Sequence, residues 1–219
     1  MPPAGNRRGK YLGFVAHEIK NPLATALWSC DLLKRMGAAD RAGPRAEKMV
    51  DASLRALRRM RRLVDDYFTI ERLQERGYEL HSEHIELRGL VDGALAMLAD
   101  KDGIPTRDWS VDVPGDVVVT GDGEMLRRGM RVLFEHMAKG TGGHSNLSVI
   151  GHAIPSGGEL VVRSSAPPDP LVPPAAEERP ASDPAGTVLG YALAEAILAA
   201  HGGSLQERDG ALVVTLPKK

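Results

Sequence analysis

The clearest candidate for chemistry in this chain is His17, which is followed directly by Glu18 in the segment FVAHEIKNPL. At about 100° per residue, His17 lies on the side of a helix opposite to Val15, so the spacing predicts that its ring faces solvent. Asn21 follows one turn later on the histidine's face. Pro22 removes a backbone donor and should bend the helix there. An exposed imidazole beside a carboxylate, at a local bend, is typical of a reactive site.

The residues around His17 predict a long amphipathic helix from Arg8 to Arg35. Its apolar positions recur at three- and four-residue steps: Leu12, Val15, Ile19, Leu23, Ala26, Cys30 and Leu33. After a turn at 37–44, a second helix is predicted from Arg45 to Arg76, with an apolar stripe at close to heptad spacing: Met49, Ala56, Met60, Leu63, Tyr67 and Ile70, widened by Leu57 and Val64. A lone hairpin leaves much of these stripes in water, so two chains are expected to pair into a four-helix bundle.

The second helix also carries a basic run beside its apolar stripe: Arg55, Arg58, Arg59, Arg61 and Arg62. Such a run is either a solvated helix face or a docking surface for an acidic partner or for phosphoryl oxygens. The candidate docking residues are Lys20, Arg55, Arg59 and Arg62.

The composition is that of an ordinary soluble globular protein, with 219 residues, 42% of them hydrophobic and 26% charged. The length allows one large or two small domains. A net charge of −1 gives no sign of nucleic-acid binding. The single cysteine, Cys30, cannot form an internal disulfide. No secretory signal or apolar run of about 18 residues occurs, so a cytoplasmic protein without a membrane span is expected, either a soluble component or a piece of a larger protein.

Beyond Gly77 the pattern changes to that of a mixed domain. A short strand leads into a helix over 85–98, strands are predicted at 109–113 and 117–120, and a helix at 124–139. Two strands, 146–154 and 159–164, precede a proline-dense segment at 166–185, a helix at 186–200 and a closing hairpin about Asp209-Gly210. This order predicts a two-layer α/β sandwich over 79–219 behind a helical hairpin over 1–78, so the fold class is α+β.

The other histidines show no ligand spacing, and no metal site is predicted. His201-Gly202-Gly203 is interpreted as a helix end followed by its glycine cap.

The segment HEIKNPL, with Phe14 upstream, resembles the H-box of HisKA-type sensor histidine kinases, whose dimerisation and histidine phosphotransfer (DHp) helices form a four-helix bundle. The resemblance implies that His17 takes a phosphoryl group on a ring nitrogen. It also implies that Glu18 binds the other ring nitrogen and sharpens its nucleophilicity. Asn21 matches the polar residue that positions a water for dephosphorylation.

The order of the later elements resembles the Bergerat-type ATP-binding domain that follows this bundle, but the residues of its pocket depart from the family pattern. His136 stands where the family has the asparagine that holds Mg²⁺, and Val132 replaces an earlier asparagine. Neutral imidazole is a poor ligand for a hard cation that prefers oxygen. Lys139 survives at the end of the same helix, where it is equally well explained as a charge partner of the helix terminus.

Two further boxes of the resemblance also depart. Ser164 stands in place of the aspartate that binds adenine, and Ala166 and Pro168 replace the glycines that follow it. Proline has no N–H and cannot cradle phosphate as glycine backbone does. In the glycine-rich box GTVLG, which runs from Gly186 to Gly190, Val188 replaces a central glycine. The metal ligand, the adenine anchor and the phosphate cradle are altered together, so a degenerate pocket that binds neither ATP nor Mg²⁺ is expected.

The whole pattern is most similar to bacterial histidine phosphotransferases, which combine a dimeric bundle with a decayed ATPase-like domain. The resemblance implies that His17 passes a phosphoryl group between the aspartates of response-regulator receiver domains, with Mg²⁺ supplied by the receiver. The expected partners are a second copy of the chain, receiver domains and an upstream histidine kinase. Two alternatives stay open, an ATP-dependent kinase with a divergent pocket and a non-catalytic dimeric scaffold that sequesters a regulator or a kinase. A phosphatase role through Asn21 also stays open.

Overall fold

The computed structural model describes residues 5–38, 40–74, 79–99, 104–140, 143–165 and 187–218. Its first part is an antiparallel helical hairpin of α1 (Gly5–Arg35) and α2 (Pro44–Gln74), with a short 3-10 turn at Asp40–Ala42. Arg41 stabilises the turn, because its guanidinium donates to the backbone carbonyls of Lys34 (3.0 Å) and Met36 (3.1 Å) at the end of α1. Among the described residues, no helix is both long enough and apolar enough to cross a membrane.

The face of α1 that packs against α2 differs from the predicted stripe. Val15 and Ala26 are buried as expected, whereas Leu23 and Cys30 are exposed. Their places in the hairpin are taken by Glu18, Pro22 and Ser29, which are buried. On α2, Leu57 was expected in the stripe and is also exposed. A lone hairpin was expected to leave part of its apolar stripes in water, and these positions are exposed because each helix carries apolar residues on two faces while only one face meets the other helix of the same chain.

The described residues of the second part form three helices and nine strands. The helices are α3 (Leu87–Met97), α4 (Gly123–Ala138) and α5 (Thr187–Ala200). The strands are β1 (Glu83–Glu86), β2 (Ser110–Asp112), β3 (Val118–Gly121), β4 (Lys139–Gly140), β5 (Gly143–His144), β6 (Leu147–Ile154), β7 (Gly157–Ser164), β8 (Ser204–Arg208) and β9 (Ala211–Pro217). These elements confirm the predicted α+β class and, apart from the two-residue strands β4 and β5, follow the predicted order.

The main sheet has five strands in the order β2-β6-β7-β9-β8, and its inner face packs against the helices. All neighbouring pairs in this sheet are antiparallel except β2 and β6, which are parallel. Strands β1 and β3 form a separate antiparallel pair. The β8–β9 hairpin turns at Asp209 (φ 51°) and Gly210 (φ 70°), the left-handed conformations that a two-residue hairpin turn of this type requires.

The glycine cap predicted after α5 is confirmed, and His201 at the end of α5 also contacts the start of α4. Gly202 (φ 73°) and Gly203 return their N–H groups to the last turn of α5. The buried His201 ring contacts backbone on both sides: Nδ1 donates to the Ile197 carbonyl at 2.6 Å, and Nε2 accepts from the Asp122 N–H at 3.0 Å. Because one nitrogen donates and the other accepts, these contacts assign His201 as a neutral imidazole. We assign it a structural role.

The C-terminal half of α2 packs against α4 and α5 and so connects the two parts of the chain. The main polar contact is made by Arg128 of α4. Its guanidinium donates to the Asp66 carboxylate and to the Thr69 hydroxyl of α2. Burial raises the pKa of Asp66 above its ordinary value of 3.8, and this effect outweighs the bond and charge of Arg128, which lower it.

The raised pKa of Asp66 predicts a pH dependence of stability. A carboxyl whose pKa is higher in the folded state contributes stability that is complete below its unfolded pKa and is lost as the pH rises through the folded pKa. We therefore expect the free energy of unfolding of the wild type, relative to Asp66→Asn, to increase as the pH is lowered towards 3.8 and then to level off. Urea unfolding of both proteins across this range measures the difference. A flat difference would contradict the prediction.

Candidate functional site

The site is built on α1, where His17 and Glu18 take opposite environments. The side chain of His17 is 55% exposed, and that of Glu18 is 2% exposed. Nδ1 of His17 lies 3.4 Å from Oε1 of Glu18. The helix repeat explains the contrast, because consecutive residues lie about 100° apart and the hairpin buries only one of the two directions. The exposed ring predicted for His17 is therefore confirmed by the fold.

Glu18 also contacts α2. Its second oxygen, Oε2, lies 3.4 Å from Nη2 of Arg59, which is 41 residues further along the chain. The carboxylate thus sits between the imidazole of His17 on its own helix and a guanidinium on the other. A neutral His17 that carries its proton on Nδ1 donates that proton to Glu18 and leaves the Nε2 lone pair facing solvent. This is the tautomer that a nucleophilic imidazole needs.

Asn21 lies on the exposed side of α1 one turn after His17, in reach of the same solvent-facing region. Its backbone carbonyl accepts a bond from the Thr25 hydroxyl at 3.1 Å. Pro22 lies inside α1 and is buried. The placement of Asn21 leaves its predicted role in positioning a water open to test.

The predicted docking residues divide into two groups. Lys20, Arg55 and Arg62 are exposed as expected. Arg59 is only 32% exposed, and its guanidinium is directed at Glu18 inside the hairpin. Its predicted docking role stays a prediction, and the structure places position 59 where α2 meets α1. The contact joins residues on different helices, and neither helix's own periodicity reveals it.

One exposed aromatic residue was not singled out from the sequence. Trp28 is 61% exposed and follows His17 by eleven positions, or about three helical turns, so both side chains leave the same side of α1. The eleven-residue spacing of Trp28 from His17 could have indicated from the sequence alone that the two side chains share one side of the helix. Because tryptophan is enriched among the residues that contribute most to protein interfaces, Trp28 is a candidate contact residue for a partner of His17.

At two of the positions predicted to form a degenerate pocket, α4 packs tightly against α5. Val132 and His136 are both buried on α4. A side chain added at Gly190 of α5 would meet Cγ1 of Val132 at 2.8 Å, so this valine lies directly on the backbone of α5. These two positions offer a hydrocarbon and an imidazole, neither of which suits Mg²⁺. Among the described residues, no group of three or more metal-binding side chains lies close enough together to hold an ion.

The remaining pocket positions are only partly described. Ser164 ends β7, and its hydroxyl is buried without a hydrogen-bond partner among the residues that the structure describes. Lys139 begins β4, where its backbone pairs with that of His144. The predictions made for Ala166, Pro168 and Gly186 lie outside the described residues. Val188 falls in the first turn of α5, and its side chain also lies outside them. For these four positions the predicted loss of the lid and phosphate cradle stays a prediction.

Comparison with known proteins identifies the hairpin. Residues 7–76 match the model of the His Kinase A (phospho-acceptor) domain. The chain is 25% identical over 213 residues to the sensor protein VanS of Enterococcus faecium, covering 92% of this chain and 54% of VanS. It is 25% identical over 226 residues to the sensor protein KdpD of Escherichia coli K12, covering 97% of this chain and 24% of KdpD. The chain thus spans about half the length of the first relative and about a quarter of the second.

Solved structures share the fold along nearly the whole chain. Histidine kinase AdeS of Acinetobacter baumannii superposes with a TM-score of 0.66 at 16% identity, covering 93% of this chain and 98% of that one. Histidine kinase ThkA, solved in complex with the response regulator protein TrrA, gives a TM-score of 0.67 at 19% identity, covering 96% of this chain and 62% of that one. Both structures show the same fold, a helical hairpin followed by an α/β domain. The hairpin that contains His17 therefore matches a His Kinase A (phospho-acceptor) domain, and the chain as a whole shares its fold with histidine kinases.

Proposed function

We propose that this chain is a phosphorelay protein whose His17 accepts a phosphoryl group from a receiver aspartate and donates it to another without using ATP. The observation that carries the proposal is the exposed imidazole whose Nδ1 lies against a buried carboxylate. The partner class is supported by ThkA, a structural neighbour that was solved together with a response regulator protein.

The transfer needs only the imidazole and its carboxylate from this chain. Nε2 of His17 attacks the phosphorus of the aspartyl phosphate, the N–P bond forms, and the P–O bond to the aspartate breaks. The aspartate leaves as a carboxylate, and the proton on Nδ1 stays there, shared with Glu18. The positive charge that develops on the ring lies beside the glutamate, which stabilises it. Donation to a second receiver is the reverse of these steps, and the metal for both steps belongs to the receiver partner.

The packing of α4 supports a reaction without ATP. Val132 lies against the backbone of Gly190, and His136 is buried at the position where the family's metal-binding asparagine is expected. Ser164 carries a hydroxyl where a carboxylate would bind the adenine amine. The rival function is an ATP-dependent kinase, and it rests on the fold that the chain shares with histidine kinases.

We propose a homodimer as the working form. Both helices carry exposed apolar side chains in the single described chain: Leu23 and Leu27 on α1, and Val50, Leu54 and Leu57 on α2. In water such surfaces favour pairing with a second copy into a four-helix bundle.

One experiment separates relay from kinase. The purified protein is mixed with a receiver domain that carries ³²P on its aspartate and, in parallel, with ATP labelled on the γ-phosphate and Mg²⁺. We expect label from the receiver to appear on the protein and label from ATP to be absent. If calorimetry shows micromolar ATP binding and His17 is labelled from ATP, the protein is a kinase. If neither donor labels the protein, the result favours the non-catalytic scaffold.

Trp28 is expected to contribute to binding the receiver. Replacing it with alanine should weaken receiver binding by about 10- to 100-fold, the usual effect of truncating an aromatic residue central to an interface. The phosphoryl acceptor itself lies about three turns away and should remain intact, so the maximal transfer rate at saturating receiver should change little. Transfer rates measured against receiver concentration test this, with the exposed Arg72→Ala as the matched control. An unchanged concentration dependence would remove Trp28 from the interface.

A further inference from the structure

Asp66 and Thr69 of α2 and Arg128 of α4 form a polar contact between the two parts of the chain, here called the clamp. The Arg128 guanidinium donates through Nη2 to the Asp66 carboxylate and through Nη1 to the Thr69 hydroxyl at 3.2 Å. The Thr69 hydroxyl gives its own proton to the Asp65 carbonyl at 2.7 Å, so its oxygen is left to accept from Arg128. One guanidinium therefore holds two side chains of the other part in a fixed geometry.

Few apolar side chains of α2 support this contact. In the C-terminal half of the helix, the buried apolar side chains among the described residues are Leu63 and Ile70. Contacts between parts of a chain that are limited in area and mixed in polarity allow the parts to move relative to each other. Hydrogen bonds between charged groups fix a direction, whereas apolar contacts do not. The clamp is therefore the contact that sets the orientation of the α/β part on the hairpin.

The orientation that the clamp sets leaves the imidazole of α1 accessible. The side chain of His17 is 55% exposed in the structure, where the clamp is formed. Its neighbour Glu18 is level with Arg59 of α2, and α2 ends at Gln74, 15 residues after Arg59 and about 22 Å further along the axis. A domain of about 140 residues has a radius of gyration of about 14 Å, so its full width exceeds this distance. An α/β part that turned freely about the end of α2 would therefore reach His17.

We propose that Arg128 is a positioning residue that holds the α/β part clear of His17. With the clamp broken, the remaining contacts fix no direction, and this part turns about the end of α2. A fraction of its orientations then lies over the imidazole, which becomes less accessible to a partner. The inference goes beyond the proposed function, because it concerns the arrangement of the two parts and not the fate of a phosphoryl group.

The first test is ¹⁵N relaxation of the backbone amides in the whole chain, which measures how each part tumbles. In the wild type, the amides of the hairpin and of the α/β part should report one common rotational correlation time. In Arg128→Ala, the amides of the α/β part should report a shorter time than those of the hairpin. Arg88→Ala is the matched control. It removes an ion pair with Asp92 at 2.9 Å that lies within α3 alone, so it should tumble like the wild type.

The second test measures the accessibility of His17 by its rate of modification with diethyl pyrocarbonate, followed by mass spectrometry. In Arg128→Ala this rate should fall by about 2- to 10-fold, as expected when between half and a tenth of the molecules keep the site open. His152 is 49% exposed on β6 and serves as the internal standard, whose rate should not change. The receiver concentration that gives half-maximal labelling of the protein should rise by the same factor as the modification rate falls.

A further variant keeps the tests valid if Arg128→Ala unfolds. The double variant Asp66→Ala, Arg128→Ala removes both charges of the pair and should show the same separate tumbling and the same protection of His17. A common correlation time in the folded clamp variant, or an unchanged modification rate of His17, overturns the proposal. Neither measurement uses a phosphoryl donor. A wild type that takes no label from receivers would therefore refute the relay function, while the role of Arg128 is decided separately.

Discussion

Replacing His17 with alanine is expected to reduce phosphoryl labelling of the protein to background. The N–P bond of the proposed relay has no other atom to form on, so no partial activity should remain. The fold should be preserved, because the side chain is 55% exposed and its polar contact, among the residues that the structure describes, is with Glu18. The buried charge of Glu18 keeps its contact with Arg59 in this variant. The measurement is acid-labile ³²P on the protein after incubation with a phosphorylated receiver.

The matched control is His152→Ala. His152 is also an exposed histidine beside a carboxylate, with Nε2 3.0 Å from Oε1 of Glu159, but it lies on β6 in the second part of the chain. This variant should be labelled like the wild type. Persistent label in His17→Ala would move the acceptor elsewhere. A regulator that responds equally to His17→Ala and to wild type would favour the non-catalytic scaffold.

The second large effect is expected from placing charge on the uncovered apolar faces of the hairpin. The double variant Leu27→Glu, Leu57→Glu should convert the proposed dimer to a monomer at micromolar concentration. Burying a leucine contributes about 1.5–3 kcal/mol, and a symmetric dimer contains each position twice. Losing even two such contributions weakens association by about 10²- to 10⁴-fold. Sedimentation velocity over a dilution series measures the change.

Thr25→Glu is the control for this experiment. Thr25 is exposed on α1 and lies on the side of the helix opposite to Leu27, so a glutamate there should leave the dimer intact. If the double variant sediments like the wild type, the faces of Leu27 and Leu57 do not form the dimer contact. If the wild type is itself a monomer at these concentrations, the four-helix bundle is wrong for this chain.

Local patterns were enough to predict the helices, most strands and the exposure of His17. Periodicity along one helix reports which residues share a face, and turn residues such as Asp209-Gly210 report where the chain reverses. Periodicity does not report which of two apolar faces of a helix packs against the other helix of the hairpin. Leu23 and Cys30 share the predicted apolar stripe and are exposed in the hairpin, while Glu18 is buried in it. Pattern rules also give no reason to expect a carboxylate there.

The contacts that complete the site could not be predicted because they join distant parts of the chain. The pair of Glu18 and Arg59 spans 41 positions, and the contact of Asp66 with Arg128 spans 62. The parallel pairing of β2 with β6 is equally non-local. A single sequence contains no period that links such positions. The resemblance implied roles for His17, Glu18 and Asn21, whereas Arg59 was considered only as part of the basic run, as a candidate docking residue.

The two contacts made by α2 have a mechanical consequence. Arg59 reaches Glu18, and Asp66 binds Arg128 of the second part of the chain. These positions are seven residues apart on one uninterrupted helix, about two turns, so both side chains leave it in nearly the same direction. Turning α2 about its axis displaces both together. A rotation of the α/β part relative to the hairpin is therefore transmitted along α2 to Arg59. Arg59 contacts Glu18, which lies beside His17.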